Sequence, residues 1–327
     1  MQKQKCSLTL YSNFLIANHS RYSGCELARV APSQNLHHDA VSRWLSASKF
    51  QPTELLNQVK HLITPATGYL LVDDTTLDKR YSRANELAKQ QYSGDERGLV
   101  NGINLVNLLW TDGDKFVPVD YRIYRKGTAD HQDKTKHDHF RDMLKRAVNK
   151  GFSKQLPVLF DAWYASIGNL KFIRSLKMHF ICSIACNRQV SVIKGTYLSV
   201  QDLDFTKEQV HKVWLKEFGF VLVAQTVTAG GDVTYLMTNN LSLDYDTFVD
   251  CFKQRWHIEE FHRGIKQATG IEKCYSIQAE SQKTHIFAAF TAFIKLEKNR
   301  LFSNISWYEQ KAMIPRTAVA NYMWANA

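Results

Sequence analysis

Two apolar runs that each end in aspartate constrain the fold of this chain most. "LLVDD" runs from Leu70 to Asp74, and "PVLFD" runs from Pro157 to Asp161. Short continuous apolar runs of this kind are typical of buried strands. A carboxylate beside such apolar surroundings must be paired, hydrogen-bonded or bound to a metal ion. The two runs therefore predict neighbouring strands of one sheet, with a candidate metal site where the strands end.

The alternative for these aspartates is a purely structural role. An aspartate often caps a turn or the helix that follows a strand, and Asp161 before "AWYAS" fits that role by itself. Two instances on neighbouring predicted strands favour the functional interpretation.

The order of the predicted elements indicates an α/β fold. Three strands in a meander come first, followed by helix, strand, helix and strand, which is the order of a ribonuclease H-like mixed sheet flanked by helices. In sequence, these segments are "TGYLLVDDTTL", "GLVNGINLVNLLW", "KFVPVDYRIYR", "KHDHFRDMLKRAVNKGF", "QLPVLFDAWYAS", "IGNLKFIRSLK" and "MHFICSIA".

Changes of texture along the chain divide it into four predicted regions. Residues 1–60 are basic and helical, and residues 61–183 form the first part of the α/β core. Residues 184–240 read as a β-rich insertion, and residues 241–327 supply the second part of the core with C-terminal helices. In the first region, "SGCELARVA" and "LHHDAVSRWLSASKF" fit a helix-turn-helix in which Arg43 meets DNA phosphates. An ordinary helical hairpin is the alternative.

The charge of the chain favours a polyanionic partner. Lys and Arg number 42 against 31 Asp and Glu, a net charge of +11, and nucleic acid is the commonest partner of such a chain. Plain solubility is the alternative. The longest apolar run, "IFAAFTAFI", is far shorter than the roughly 20 residues that span a bilayer, and the first residues lack the apolar stretch of a signal peptide. We therefore expect a soluble, intracellular protein with no membrane partner.

The segment "FKQRWHIEEFHRGIKQATG" places one carboxylate among cations. It belongs to a helix predicted from about Tyr245 to Lys266, and residues four and seven apart share a helical face. The stripe around Glu259 consists of Phe252, Arg255, Arg263 and Lys266. Such a stripe suits a metal ligand flanked by phosphate-binding cations. The alternative is a solvated helix with ion pairs worth about 0.2–0.5 kcal/mol each.

This stripe resembles the tyrosine–arginine–glutamate–lysine signature of IS-four-type transposases, which are prokaryotic cut-and-paste DDE enzymes. The surrounding "RWHIEEFHRGIK" and the earlier "YLMTNNLS" are similar as well, and the resemblance extends from about Gly68 to Gly270. "VDDTT" resembles the strand of the first aspartate and indicates Asp74 rather than Asp73, whereas "VLFDAWYAS" indicates Asp161. Phe252 replaces the signature tyrosine, which removes a hydroxyl that could bond a phosphate.

The resemblance implies a function and a set of site residues. Asp74, Asp161 and Glu259 would be the catalytic residues and would hold two Mg²⁺ or Mn²⁺ ions. The partners would be double-stranded DNA, both element ends and target, bound by a homodimer. DNA strand cleavage and transfer would proceed through a hairpin intermediate, in a cytoplasmic, nucleoid-associated prokaryotic protein.

Further residues are predicted to contact DNA. Four of them lie in the glutamate stripe: Arg255, Lys266, Arg263 and Phe252. Trp214 is a candidate to stack on a displaced base, with Trp163 and Trp256 as competitors and core packing as the alternative role. Two other functions remain open at this stage: an inactive, DNA-binding regulator derived from a transposase, and an RNase H-like nuclease without strand transfer.

Overall fold

A mixed β-sheet is the centre of the fold. The computed structural model describes residues 5–31, 35–82, 84–93, 98–125, 134–227 and 230–325. In these ranges eleven strands form one sheet. The strands are β1 (Tyr69–Asp78), β2 (Lys89–Ser93), β3 (Gly98–Thr111), β4 (Val117–Tyr124), β5 (Val158–Phe160), β6 (Phe180–Ile184), β7 (Gln189–Ser191), β8 (Leu198–Ser199), β9 (Val210–Leu215), β10 (Gly219–Val227) and β11 (Val233–Thr238).

Helices flank the sheet. They are α1 (Leu8–Ala17), α2 (Gly24–Val30), α3 (His38–Ala47), α4 (Leu55–Val59), α5 (Lys136–Asn149), α6 (Ile167–Ser175), α7 (Tyr245–Lys253), α8 (Trp256–Thr269), α9 (Ala279–Ser303) and α10 (Trp307–Ala325). Among the helices of the described ranges, none combines the length and the apolar character that crossing a bilayer requires.

The first half of the sheet contains the predicted strands together with β2, an edge strand beside β3 that the sequence analysis did not predict. β1 pairs with β3 in antiparallel fashion and with β5 in parallel fashion, and β5 pairs in parallel with β6. β4 pairs with the far side of β3. Because β1 and β5 are neighbours, their carboxyl-terminal ends lie at the same edge of the sheet. The α/β fold class, with a mixed sheet flanked by helices, is confirmed.

The β-rich stretch before α7 extends the same sheet. β11 pairs antiparallel with β6, and β10, β9, β7 and β8 follow in that order. Met237 of β11 lies opposite Cys182 of β6, and both side chains are fully buried. The insertion therefore shares the hydrophobic core of the sheet.

The structure divides the helix that was predicted from about Tyr245 to Lys266. α7 ends at Lys253 and α8 begins at Trp256. Between them, the Arg255 N–H donates to the Phe252 carbonyl at 2.9 Å, which closes a tighter turn than an α-helix does. Phe252 consequently belongs to α7, whereas the other residues of the glutamate stripe lie at the start of α8 or along it.

The N-terminal helices pack on α9. The Tyr11 hydroxyl lies 2.9 Å from Nδ1 of buried His285, and the rings of Phe50 and Phe287 stack with centroids 4.7 Å apart. Both regions contribute to one continuous hydrophobic core. The turn of the predicted helix-turn-helix includes residues 32–34, which lie outside the described residues.

Close packing fixes α8 along its length. A Cβ added to Gly264 would lie 2.7 Å from the Trp307 ring, so only glycine lets these two elements approach so closely. At the end of α8, Lys311 Nζ donates to the Ala268 carbonyl and to the Tyr22 hydroxyl, both at 2.9 Å. The helix that carries Glu259 is therefore held by both the N-terminal region and α10.

Candidate active site

The two aspartates of β1 lie on opposite faces of the sheet, as neighbouring residues of a strand must. Asp73 is paired in register with Asn107 of β3, so their side chains share a face. Asn107 Nδ2 lies 2.9 Å from Nε2 of His262, which belongs to α8. Asp73 therefore faces α8, and we call this the α8 side of β1.

Asp74 faces the opposite side. Its Oδ2 accepts hydrogen bonds from Lys136 Nζ, at the first residue of α5, and from Asn104 Nδ2, both at 2.7 Å. Its Oδ1 accepts from the Tyr164 hydroxyl at 2.9 Å, and the Tyr164 ring stacks on Phe140 of α5. We call this face the α5 side of β1.

The parallel pairing of β1 and β5 places Asp73 beside Asp161. Leu71 pairs with Leu159, and Asp73 and Asp161 each lie two residues further along their strands. Residues paired in register across a sheet point to the same face. The register therefore favours Asp73 over Asp74 as the neighbour of Asp161, and the assignment of Asp74 from the resemblance stays a prediction.

The carboxylates of this cluster repel one another. Burial raises the pKa of Asp73 well above its ordinary value, and the charges of Asp161 and Asp74 raise it further. Burial and the charge of Asp74 also raise the pKa of Asp161, against backbone hydrogen bonds and the nearby guanidinium of Arg255 that lower it. Three carboxylates thus interact at the carboxyl-terminal edge of β5, with less positive charge than would neutralise them.

Asp161 also has the capping role that the sequence allowed. Its Oδ1 accepts from the backbone N–H of Trp163 at 3.2 Å and from that of Tyr164 at 3.4 Å. The cap fixes the direction of the carboxylate, so the two roles are compatible.

Glu259 lies on α8 one turn before His262, on the α8 side. Its carboxylate accepts from Arg255 Nη2 at 2.5 Å, and its side chain is 32% exposed. The charge of Arg255 also lowers the pKa values of Asp73 and Asp161. Arg255 is therefore an electrostatic link between Glu259 and the two aspartates.

The remaining predicted DNA contacts are spread over the molecule. Lys266 Nζ lies 3.8 Å from Glu272, Arg263 is exposed on α8, and the Arg255 guanidinium lies 5.6 Å from the centre of the Phe252 ring. Trp214 is 43% exposed on β9, four strands away from β5 across the sheet, and Arg43 is exposed on α3. Trp214 and Arg43 therefore lie on elements that do not carry the site aspartates.

Three residues near the aspartates were missed by sequence analysis. Lys136 and Tyr164 bond Asp74, and Asn107 pairs with Asp73. Lys136 is 62 residues from Asp74, and no local pattern marks it. Of the candidate tryptophans, Trp163 lies two residues after Asp161 and is 51% exposed.

The donor set suits a hard divalent cation. Mg²⁺ binds through one or two carboxylates together with waters and substrate phosphate oxygens, and clustered carboxylates with raised pKa values supply such ligands. In the part of the chain that the structure describes, no three acidic, histidine or cysteine side chains already surround one point. Lys136 and Arg255 instead occupy oxygens of Asp74 and Glu259. The residues fit the ion by chemistry and charge, with two of the carboxylates held by internal cations.

Comparisons with known proteins identify similar structures and a family. No curated protein matches the chain. The piggyBac transposase synaptic complex with hairpin DNA is similar in structure, with a TM-score of 0.54 and 10% identity over 94% of this chain and 68% of that one. The Drosophila P element transposase strand transfer complex gives a TM-score of 0.31 and 11% identity over 90% of this chain and 65% of that one.

The first of these structures supports an RNase H-like transposase fold. A family model described as "Transposase DDE domain" matches residues 65–294, which include both aspartate strands and α8. The match spans more than half of the chain. The chain therefore belongs to the family of transposase DDE domains.

Proposed function

We propose that this protein is an IS-four-type transposase that cuts the ends of an insertion element and joins them to target DNA. The observation that carries the proposal is the presence of Asp73, Asp161 and Glu259 on one side of β1, within the span that matches the family. The resemblance of the stripe from Phe252 to Lys266 to the family signature supports the IS-four-type assignment.

Three carboxylates would hold two divalent ions, Mg²⁺ or Mn²⁺. They are Asp161, Glu259 and one aspartate of β1. The resemblance indicates Asp74 for the last position, but the register and the shared face with α8 favour Asp73. Bound ions would stabilise the attacking and leaving oxygens of an in-line phosphoryl transfer. The cap from Trp163 and Tyr164 orients Asp161, and packing of α8 orients Glu259.

Positive side chains would hold the DNA. Arg255, Lys266 and Arg263 lie along α8, so they can follow a phosphate backbone that passes the acids. We assign recognition of the element ends to residues 1–60, where Arg43 is exposed on α3, and stacking on a displaced base to an exposed tryptophan. Trp163 suits that role better than Trp214 because its backbone N–H donates to Asp161, whereas Trp214 lies four strands away on β9.

We further propose a homodimer in the DNA complex and a hairpin on the element end. The similar piggyBac structure contains hairpin DNA, which supports the hairpin as a chemical route for this fold. A cytoplasmic, nucleoid-associated location follows from the IS-four-type assignment and stays a prediction.

The DNA that flanks the gene provides the test. Labelled duplexes from both flanks are incubated with the protein, Mg²⁺ and a supercoiled target plasmid. Joined products support a transposase. Cutting without joining indicates a nuclease, and binding without cutting indicates a regulator. Asp161→Asn should abolish cutting, whereas Asp250→Asn, which alters an exposed partner of Lys253 on α7, should not.

A further inference from the structure

The acidic cluster contains its own cations. Lys136 Nζ lies 2.7 Å from Asp74 Oδ2, and Arg255 bonds Glu259. Arg255 belongs to the stripe along α8, but nothing in the sequence or the comparisons assigns Lys136. Its side chain is mostly buried, and its ammonium lies 5.2 Å from the centre of the Trp163 ring, beside Asp161. Lys136 thus places a positive charge on the α5 side of the cluster.

The charges of the cluster leave a net negative charge that attracts divalent cations. With all four carboxylates ionised, Asp73, Asp74, Asp161 and Glu259 together with the cations of Lys136 and Arg255 sum to a charge of −2. Removing Lys136 would make the cluster more negative without removing any carboxylate. Because an ion feels the charge of Asp74 and that of Lys136 with opposite sign, the balance between these two residues sets how strongly the cluster attracts a cation.

We propose that Lys136 tunes the divalent-metal affinity of the Asp73–Asp161 site by neutralising Asp74. Lys136 is a positioning residue that acts through Asp74. Together with the Tyr164 hydroxyl and Asn104 it keeps that carboxylate on the α5 side. The site then attracts metal through Asp73, Asp161 and Glu259 alone. The inference rests on the proposed function in that the cluster must bind a divalent cation.

Mn²⁺ binding to the DNA-free protein tests this, because the electron paramagnetic resonance signal of unbound Mn²⁺ reports affinity without any reaction. Lys136→Met should bind Mn²⁺ about fivefold or more tightly than wild type, and Asp74→Asn should bind it more weakly by a similar factor. The double variant Asp74→Asn with Lys136→Met loses both charges and should return close to wild-type affinity.

The series separates charge tuning from other roles. A purely structural Lys136 would give weaker binding in every variant, and a direct ligand role for Asp74 would leave the double variant weak. Either result overturns the inference. Lys134→Met is the matched control, since Lys134 pairs with exposed Asp142 and should leave Mn²⁺ affinity unchanged. If Lys136→Met does not fold, Lys136→Gln keeps a hydrogen-bond donor to Asp74 and should show the same direction.

Failure of the proposed function has a different signature. A wild-type protein that binds no Mn²⁺ and cuts no flanking DNA overturns that function and this inference together. A wild-type protein that binds Mn²⁺ and cuts DNA, with a charge series that does not follow the predicted order, overturns the inference alone.

Discussion

The α8 side and the α5 side of β1 each carry an aspartate, but they treat its charge differently. On the α5 side, Asp74 has an ammonium, an amide and a hydroxyl as donors. On the α8 side, Asp73 accepts from the Asp74 N–H at 2.8 Å, and burial together with other carboxylates raises its pKa. Repulsion between half-buried carboxylates lowers the stability of a fold, so it is typical of functional sites. The contrast therefore supports the proposal that the α8 side carries the chemistry.

Asparagine variants of the two aspartates give the strongest test of the difference between the α8 side and the α5 side. Asp73→Asn should lower the rate of element-end cleavage by about 10³-fold, because a metal ligand supplies several kcal/mol of transition-state stabilisation. Asp74→Asn should lower it by about 10- to 100-fold, as expected for a residue that supports the ligands. Cleavage of a labelled flanking duplex measures both. The reverse order would restore the assignment of Asp74 from the family resemblance.

Alanine at a glycine of each side tests how tightly the helices are fixed. Gly264→Ala should cost about 1–3 kcal/mol of unfolding free energy, because its Cβ would lie 2.7 Å from a Trp307 ring carbon. Gly168→Ala in α6 is the matched control on the α5 side. Its nearest neighbour would be Arg141 Nη1 at 3.4 Å, so it should be neutral or stabilise by about 0.5–1 kcal/mol. Chemical denaturation measures the unfolding free energy of both variants. Equal stability of the two would contradict the close packing of α8.

The pH dependence of stability distinguishes the two sides more finely. Without metal, Asp73→Asn should be more stable than wild type by about 1 kcal/mol at pH 8, because it removes a charge that burial and the neighbouring carboxylates disfavour. The pKa of Asp73 is raised in the folded state, so the folded state binds more protons than the unfolded state at pH values between the ordinary and the raised pKa. Wild-type stability therefore falls as pH rises between these two values. The advantage of the variant should thus disappear as pH falls through the raised pKa towards the ordinary 3.8.

Asp112→Asn is a comparison variant whose stability relative to wild type should change with pH in the opposite direction. Hydrogen bonds and the charge of Lys115 lower the pKa of Asp112, although burial opposes them. Its contribution to stability is present above the ordinary carboxyl pKa and is lost as pH falls through the lowered one. This variant should be less stable than wild type at neutral pH. An Asp73→Asn curve parallel to wild type in EDTA would show that Asp73 is not under repulsion.

The smallest predicted effect concerns the cations of the α8 side. Lys266→Gln should reduce the slope of log affinity against log salt concentration for flanking DNA by about one, since it removes one phosphate contact. Arg316→Gln on exposed α10, where Arg316 pairs with Glu309, should leave the slope unchanged. Fluorescence anisotropy between 50 and 200 mM salt measures both slopes. An unchanged slope for Lys266→Gln would place the DNA elsewhere.

Sequence analysis was most informative where local patterns determine structure. Apolar runs predicted β1 and β5, and helical periodicity predicted most of α8. The choice between Asp73 and Asp74 could not be made in the same way. Both residues are acidic, and the side that faces Asp161 depends on the parallel register of two strands that are far apart in sequence. A family signature predicts the type of residue at a site more reliably than it predicts which face of a strand that residue occupies.

Two other features had no local signal. The turn between α7 and α8 contains Gln254 and Arg255, neither of which interrupts a helical pattern as glycine or proline would. Lys136 opens α5 in a charged stretch, and its pairing with Asp74 appears only when that helix packs beside β1. In both cases tertiary packing determines the outcome, and a periodic pattern cannot report it.

The packing of the N-terminal helices on α9 limits how this protein can evolve. Tyr11 and Phe50 complete a core whose other half includes His285 and Phe287. A segment without a core of its own cannot be exchanged between relatives as an independent module, because the exchange would leave α9 uncovered. Under the proposed recognition of element ends by residues 1–60, new end preferences should therefore arise through single changes at exposed positions such as Arg43, and not through replacement of the segment.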